Sequence, residues 1–140
     1  MRAKAPRGVA RRAMLCTGGG DTDAVVCRVL REEGYQVVAC PGHEALLERA
    51  INEPPDVLIY SLTPRCPLDR GALQLVRRSL PKTPLIVVSS EGSLEEQRVL
   101  LAFRPTFYAV APLDEEELRD ALHAALAQRE KLTLGGMGTM

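Results

Sequence analysis

The most strongly apolar stretch of the chain lies near its middle and predicts a strand buried on both faces. Residues 57–62 are apolar except for Ser61, and they follow the turn-forming sequence Pro54–Asp56. A short apolar run rich in β-branched and aromatic residues, bounded by turn residues, is typical of such a strand. Strands of this kind belong to parallel sheets that helices cover on both sides. Ser61 then lies near the carboxyl end of the strand, where proteins of this architecture carry ligands and chemistry.

Apolar runs alternate with amphipathic segments along the rest of the chain. Further strands are predicted at Ala13–Thr17, Tyr35–Cys40, Pro84–Val88 and Thr106–Val110. Between the strands, apolar residues recur at helical spacing, which predicts helices over about 24–33, 42–52, 71–80, 93–104 and 115–130. Strict alternation of strand and helix indicates an α/β fold with an open parallel sheet. Five such units suit a flavodoxin-like three-layer sandwich with strand order 2-1-3-4-5.

Composition divides the chain of 140 residues into one domain and two termini. Residues 1–12 contain five basic side chains and no acid, and we interpret them as a basic flexible arm. An arm that contacts an acidic partner or nucleic acid is the less favoured alternative. The domain itself spans residues 13–130, and the Gly-rich residues 131–140 are predicted to form a flexible tail.

Overall charge and aromatic content restrict the function classes. The net charge is zero, aromatic residues make up 4% of the chain and Trp is absent, so nucleic-acid binding by the domain is not expected. No run is long and apolar enough for a membrane span or a signal peptide, which makes the cytoplasm the expected location.

The cysteines and histidines show no spacing typical of a metal or dithiol site. The four cysteines include no C-x-x-C pair, and His43 and His123 stand alone on predicted helices, so we expect neither zinc nor redox chemistry. Cys66 lies in a Pro-rich loop and is the cysteine expected to be accessible to solvent.

Five short motifs follow one another along the chain. They are Glu33–Val38 (EGYQVV), Pro55–Ile59 (PDVLI), Thr83–Ser89 (TPLIVVS), Tyr108–Pro112 (YAVAP) and Leu113–Leu118 (LDEEEL). In this order and at near-correct spacing, they resemble the receiver domain of bacterial response regulators over nearly all of residues 13–129. The resemblance implies the CheY-like form of the flavodoxin-like fold and a place in two-component signal transduction.

The resemblance also shows which residues stand at the receivers' phosphorylation site. That site uses an Asp as phosphoryl acceptor, a pair of acids for magnesium, a Thr or Ser, and a Lys. In this sequence Ser61 stands at the acceptor position, Thr17 and Gly18 at the acid pair, Ser89 at the hydroxyl and Ala111 at the lysine. Only the hydroxyl is kept. The resemblance therefore implies a degenerate pseudo-receiver with no catalytic residue, no metal and no cofactor.

Other acids offer no evident replacement for the missing pair. Asp21 and Asp23 precede or begin a predicted helix, and Asp69 lies just before another, where carboxylates accept hydrogen bonds from free amides. We interpret all three as residues that start helices. A serine nucleophile at Ser61 would need an activating base, and the sequence shows none nearby.

Two functions from different classes remain after this step, and neither is enzymatic. The first is a phosphorylation-independent interaction module that binds an unidentified protein, or a second copy of itself, through the face of the fourth and fifth helices. Glu95, Glu96 and Tyr108 would belong to that face, and both glutamates are expected to be exposed. The alternative is that Gly18, Gly19 and Gly20 form a loop that binds a phosphate-containing small molecule or nucleotide.

Overall fold

A computed structural model describes the backbone of residues 11–17, 21–64 and 66–138, and side chains as far as residue 128. Strands and helices alternate from one end of the described chain to the other. The elements are β1 (Arg11–Cys16), α1 (Asp21–Glu32), β2 (Tyr35–Cys40), α2 (His43–Asn52), β3 (Val57–Leu62), α3 (Arg70–Ser79), β4 (Leu85–Ser89), α4 (Leu94–Leu101), β5 (Phe107–Val110) and α5 (Glu115–Gly138).

The five strands form one parallel sheet in the order β2-β1-β3-β4-β5, which confirms the predicted fold class. Register brings their carboxyl ends to one edge. Cys16 pairs with Tyr60, Leu62 pairs with Ser89, and Ser89 pairs with Val110. Residues at the carboxyl ends of adjacent strands, or just after them, are therefore neighbours across the sheet.

β3 lies at the centre of the sheet, and all six of its residues are buried. Because successive side chains of a strand point to opposite faces, β3 supplies two separate halves of the core. Leu58, Tyr60 and Leu62 pack in the half that also contains buried residues of α2, α3 and α4. Val57 and Ile59 pack in the half that contains buried residues of α1 and α5. The predicted covering of the sheet on both faces is thus observed.

Several helices begin at residues whose side chains satisfy free amides. Asp69 Oδ1 accepts a hydrogen bond from Ala72 N at 3.0 Å, and Ser93 Oγ accepts one from Glu96 N at 3.1 Å. Asp114 Oδ1 accepts one from Glu116 N at 2.9 Å. The prediction that Asp69 starts a helix is confirmed.

Several element boundaries differ by one or more residues from those expected, and those of β1 and α5 have identifiable causes. β1 begins at Arg11 rather than Ala13, because Arg11 and Arg12 pair with Tyr35 and Gln36 of β2. On the other side, Arg12 N donates to Asp56 Oδ2 at 2.7 Å and Asp56 N donates to Arg12 O at 2.7 Å. α5 continues to Gly138, beyond the predicted end at Glu130, and no Gly or Pro interrupts its sequence before Gly135. Most of the predicted arm (residues 1–10) and the last two residues of the predicted tail lie outside the described residues.

Charged side chains join α5 to α1 on the surface. Arg119 Nη2 lies 2.8 Å from Glu32 Oε1, and its Nη1 lies 3.2 Å from Glu33 Oε2. Arg28 pairs with Glu115, and its hydrogen bond holds the pKa of that carboxyl below its ordinary value. Solvent screens each exposed pair, so the network mainly fixes which side of α5 faces α1.

The two leucines of α3 test the assignment of buried and exposed faces. Leu73 is 1% exposed and Leu75 is 51% exposed on the same helix. We expect Leu73→Ala to lower the free energy of unfolding by about 2–5 kcal/mol, because it removes buried surface and leaves a cavity. The matched control Leu75→Ala should change it by no more than about 0.5 kcal/mol. Urea denaturation measures both, and equal losses would contradict the packing of α3.

Candidate functional site

The residues at the receivers' phosphorylation positions meet at the carboxyl edge of the sheet. Thr17 follows β1, Ser61 lies near the end of β3, Ser89 ends β4 and Ala111 follows β5. Ala111 N donates to Ser89 O at 2.8 Å, and register sets Ser61 beside Val88, next to Ser89. The structure thus brings together four of the five residues, and the fifth, Gly18, lies outside the described residues.

Ser61 is poorly placed to accept a phosphoryl group. Its side chain is buried, with 1% of the residue exposed, so a phosphoryl donor cannot reach the hydroxyl without a rearrangement of the edge. The four residues supply two serines, one threonine and one alanine, and none is a carboxylate. Magnesium prefers carboxylate oxygens, so these positions do not fit the ion that the fold family uses.

Nearby acids lie where helices begin. Asp21 and Asp23 belong to the first turn of α1, and Asp69 caps α3. Among the described side chains, the group whose ligand atoms converge contains two thiols and an imidazole rather than carboxylates.

The retained hydroxyl, Ser89, organises the loop between β4 and α4. Its Oγ accepts hydrogen bonds from Gly92 N at 3.0 Å and from Glu91 N at 3.3 Å. Gly92 has a φ of +68°, and a Cβ there would lie 2.4 Å from Val110 Cγ2. The loop therefore packs directly on β5, and the lone pairs of Ser89 are used within the fold.

Tyr108 on β5 links this edge to α4. Its hydroxyl donates to Glu96 Oε2 at 2.7 Å. Burial, together with this hydrogen bond and the charge of Glu96, raises the pKa of Tyr108 to about 12. The expectation that Glu95 and Glu96 are both exposed is wrong for Glu96, because its side chain turns onto Tyr108 and is half-buried, whereas Glu95 is exposed.

A cleft of about 340 Å³ opens between the loop that follows β3 and the loop that follows β4. Leu62, Pro64, Pro67 and Leu68 line one side, and Ser89 and Glu96 are among the residues of the other. The Pro-rich loop after β3 forms the apolar side. No pattern in the sequence indicates the cleft, since its two walls come from separate loops.

Two thiols and an imidazole converge on the α2 and α3 side of the same edge. The ligand atoms of Cys16, His43 and Cys66 all lie within 4.8 Å of one another. Cys66 is 6% exposed, so the expectation that it is the accessible cysteine is wrong; Cys27 on α1 is the half-buried one. Burial raises the pKa of the Cys16 thiol well above its ordinary value. Spacing along the chain could not show this cluster, since each side chain comes from a different element.

His123 has a separate environment. Its Nε2 lies 2.8 Å from Glu33 Oε1, within the charged network that joins α5 to α1. It takes no part in either group of residues at the carboxyl edge.

Comparison with known proteins identifies the fold. No protein-family model matches the chain, and no curated protein matches it. A CheY-like receiver domain protein from Methanospirillum hungatei JF-1, 20% identical, superposes with a TM-score of 0.72 over 88% of this chain and 98% of its own. The chemotaxis response regulator CheY4 of Vibrio cholerae, 21% identical, gives 0.70 over 84% and 100%. NtrX from Brucella abortus, solved in complex with ADP and 16% identical, gives 0.78 over 94% of this chain and 31% of NtrX.

The chain therefore has the fold of CheY-like receiver domains, as its motifs predicted. Identities of 16–21% show the fold alone. Function must then be argued from the residues of the site. Within the described part of the chain, no helix is both long enough and apolar enough to cross a membrane.

The bond between Tyr108 and Glu96 predicts a measurable alkaline titration. We expect a pKa of about 12 for Tyr108, against an ordinary value of 10.0. Glu96→Gln should lower this pKa, because it removes the neighbouring charge. Because the folded pKa is raised, this stabilisation is fully present below pH 10.0 and is lost as the pH rises to about 12. NMR titration of ¹³Cζ-labelled tyrosine measures the shift, with Tyr108→Phe to assign the signal. The exposed control Glu95→Gln should leave the pKa unchanged, and an equal shift in both variants would contradict the bond.

Proposed function

We propose that the chain is a phosphorylation-independent pseudo-receiver that acts as a protein–protein interaction module in bacterial signal transduction, with no enzymatic activity. Independence from phosphorylation is supported by the residues at the carboxyl edge of the sheet. The acceptor position holds a buried serine, the lysine position holds an alanine, and the retained Ser89 hydroxyl is bonded to its own loop. These residues offer no carboxylate to be phosphorylated and no cation to neutralise a phosphoryl group.

The proposed interaction surface lies on α4 and β5. We define the α4–β5 face by Leu94, Glu95, Leu101 and Val110. Leu94 and Leu101 are 71% and 74% exposed, and Val110 is 37% exposed. The two leucines are seven residues apart, so they project from one side of the helix. Exposed apolar side chains grouped in this way are typical of a surface that a partner covers.

The side of α5 that faces α1 already forms ion pairs within the domain. Arg119 and Arg28 form ion pairs with acids of α1 and of the first turn of α5 itself. The α1–α5 side is thus polar and internally paired, while the α4–β5 face presents large apolar side chains around a single exposed acid. This contrast supports a partner that docks on α4 and β5, and a second copy of the chain is one such partner.

The alternative function rests on the sequence alone. Gly18, Gly19 and Gly20 lie outside the described residues, so the geometry of a phosphate-binding loop at the start of α1 has no support beyond its composition. The interaction module is therefore the first proposal and anion binding the second.

The first test concerns phosphorylation. We expect no phosphate adduct when the protein is incubated with acetyl phosphate and magnesium and its intact mass is recorded, because the acceptor carboxylate and its cations are absent from their positions. A receiver with a complete site, treated in parallel, supplies the positive control. A stoichiometric increase by one phosphoryl group, lost in Ser61→Ala, would overturn the proposal.

The second test concerns the surface. Leu94→Glu with Leu101→Glu should weaken partner binding by at least about 2 kcal/mol, roughly thirtyfold, because anchor residues at the centre of an interface dominate its energy. Ile51→Glu is the matched control, since Ile51 is 63% exposed on α2 and lies outside the α4–β5 face. Complementation of a deletion strain and affinity capture measure function, with circular dichroism to establish folding.

A further variant separates the two proposed functions. Gly19→Val adds bulk to the Gly-rich loop and restricts its backbone, so it should abolish anion binding but leave protein binding intact. Loss of function in Gly19→Val together with full function in the leucine variant would favour the nucleotide-binding alternative.

A further inference from the structure

Cys16, His43 and Cys66 come from three elements that are distant in sequence and adjacent in space. Cys16 ends β1, His43 begins α2, and Cys66 lies in the loop that follows β3. We propose that these three side chains bind a single Zn²⁺ ion, with Tyr60 as a positioning residue for His43. This site lies apart from the α4–β5 face and uses none of the degenerate phosphorylation positions, although Cys16 and Tyr60 directly precede Thr17 and Ser61. It does not depend on the proposed function.

The separation of the two thiols already matches zinc coordination. Cys16 Sγ and Cys66 Sγ are 3.7 Å apart. Two sulfurs bound to zinc at about 2.3 Å with tetrahedral geometry are separated by about 3.8 Å. The imidazole nitrogen lies within 4.8 Å of both sulfurs. Tetrahedral coordination requires about 3.6 Å between nitrogen and sulfur. A rotation of the His43 side chain that moves its ring nitrogen by about 1 Å therefore completes the set.

The backbone holds both cysteine ligands in place before any metal binds. Cys16 is fixed in β1, which pairs with strands on both sides. Cys66 and Thr63 exchange backbone hydrogen bonds of 3.0 and 3.2 Å, and Thr63 Oγ1 accepts a third from Cys66 N at 3.1 Å. This tight turn inside the Pro-rich loop directs Cys66 back toward the sheet.

Tyr60 holds the imidazole. Its ring stacks on His43 with centroids 5.3 Å apart and an angle of 27° between the planes. Its hydroxyl lies 3.4 Å from His43 Nδ1. Histidine ligands of metals are commonly oriented by a hydrogen bond at one ring nitrogen, and Tyr60 supplies that contact from the core.

Charge balance favours a divalent ion. Each thiol releases its proton to solvent as its S–Zn bond forms, and two thiolates with Zn²⁺ and a neutral imidazole make a group of zero net charge. Cys16 is fully buried and Cys66 is 6% exposed, so a charged group there would carry a large desolvation penalty. Cu⁺ with the same ligands would leave one negative charge. Soft sulfur donors also disfavour magnesium and calcium.

Access comes from the carboxyl edge of the sheet. His43 is half-buried at the start of α2, so one side of the cluster faces outward. Three protein ligands leave one coordination position for water, as in zinc sites with an open position. The ion would join α2, β1 and the loop after β3, and it should stabilise the folded state by binding to it alone.

The test uses the full chain, reduced with a phosphine and freed of metal by chelation. Co²⁺ is titrated first, because tetrahedral Co²⁺ with thiolate ligands gives intense visible bands and a sulfur-to-metal charge-transfer band. Zn²⁺ is then added against a chromophoric chelator. We expect one ion per chain, displacement of the Co²⁺ spectrum by Zn²⁺, and a higher melting temperature with Zn²⁺.

Variants assign the ligands. Cys66→Ser and His43→Gln should each weaken Zn²⁺ binding by at least about tenfold and change the Co²⁺ spectrum. Tyr60→Phe should weaken binding by less than either variant and keep the thiolate band. Cys27→Ser is the matched control, since Cys27 lies on α1 beside the other half of the core, and its affinity should equal that of the unaltered chain.

Several outcomes would overturn the proposal. They are no uptake of Co²⁺ or Zn²⁺ by the folded, reduced chain, and a Zn²⁺ affinity in Cys66→Ser and His43→Gln equal to that of the unaltered chain. Should a variant fail to fold by circular dichroism, the thiolate band and stoichiometry of the unaltered chain still decide the result. A chain that only forms a Cys16–Cys66 disulfide in air and binds no metal when reduced would equally reject the site.

Discussion

The fold depends on a central strand that has no solvent-facing side. All six residues of β3 are buried, so helices must cover both faces of the sheet, and any polar function must lie at the strand's carboxyl end. At that end Ser61 is buried as well. A carboxylate there would need a cation to offset its desolvation, and Ala111 at the same edge offers none. Neutral residues at Ser61 and Ala111 are therefore mutually consistent, since a charge at either position alone would be uncompensated.

The polar side chains at this edge have structural roles. Ser89 uses its hydroxyl to hold Glu91 N and Gly92 N, and Gly92 in turn packs against β5 without room for a Cβ. Tyr108 is bonded to Glu96, which ties β5 to α4. The carboxyl edge of the sheet is thus a set of internal contacts that orient α4, and α4 carries the exposed leucines of the α4–β5 face.

The sequence was sufficient for the fold because its signals are local. Periodicity and turn residues predicted every strand and helix of the described chain, and Asp69 caps a helix as expected. Boundaries shifted where a contact distant in sequence intervened, as when pairing with β2 extends β1 to Arg11. The positions of Ser61, Ser89 and Ala111 followed from motif order, whereas the exposure of Glu96 did not, since the bond to Tyr108 joins two elements.

The cluster of Cys16, His43 and Cys66 could not be predicted from the sequence. Metal motifs are recognised by short spacing, yet Cys16 and Cys66 lie 50 residues apart and meet only because β1 and β3 are adjacent in the sheet. Cys16, Cys66 and Tyr60 belong to the same half of the core as Leu100 of α4, with Tyr108 packed against it. An ion at the cluster would rigidify the half of the core on which α4 rests, and it would leave the α1–α5 half, with its own buried residues and charged surface, unchanged.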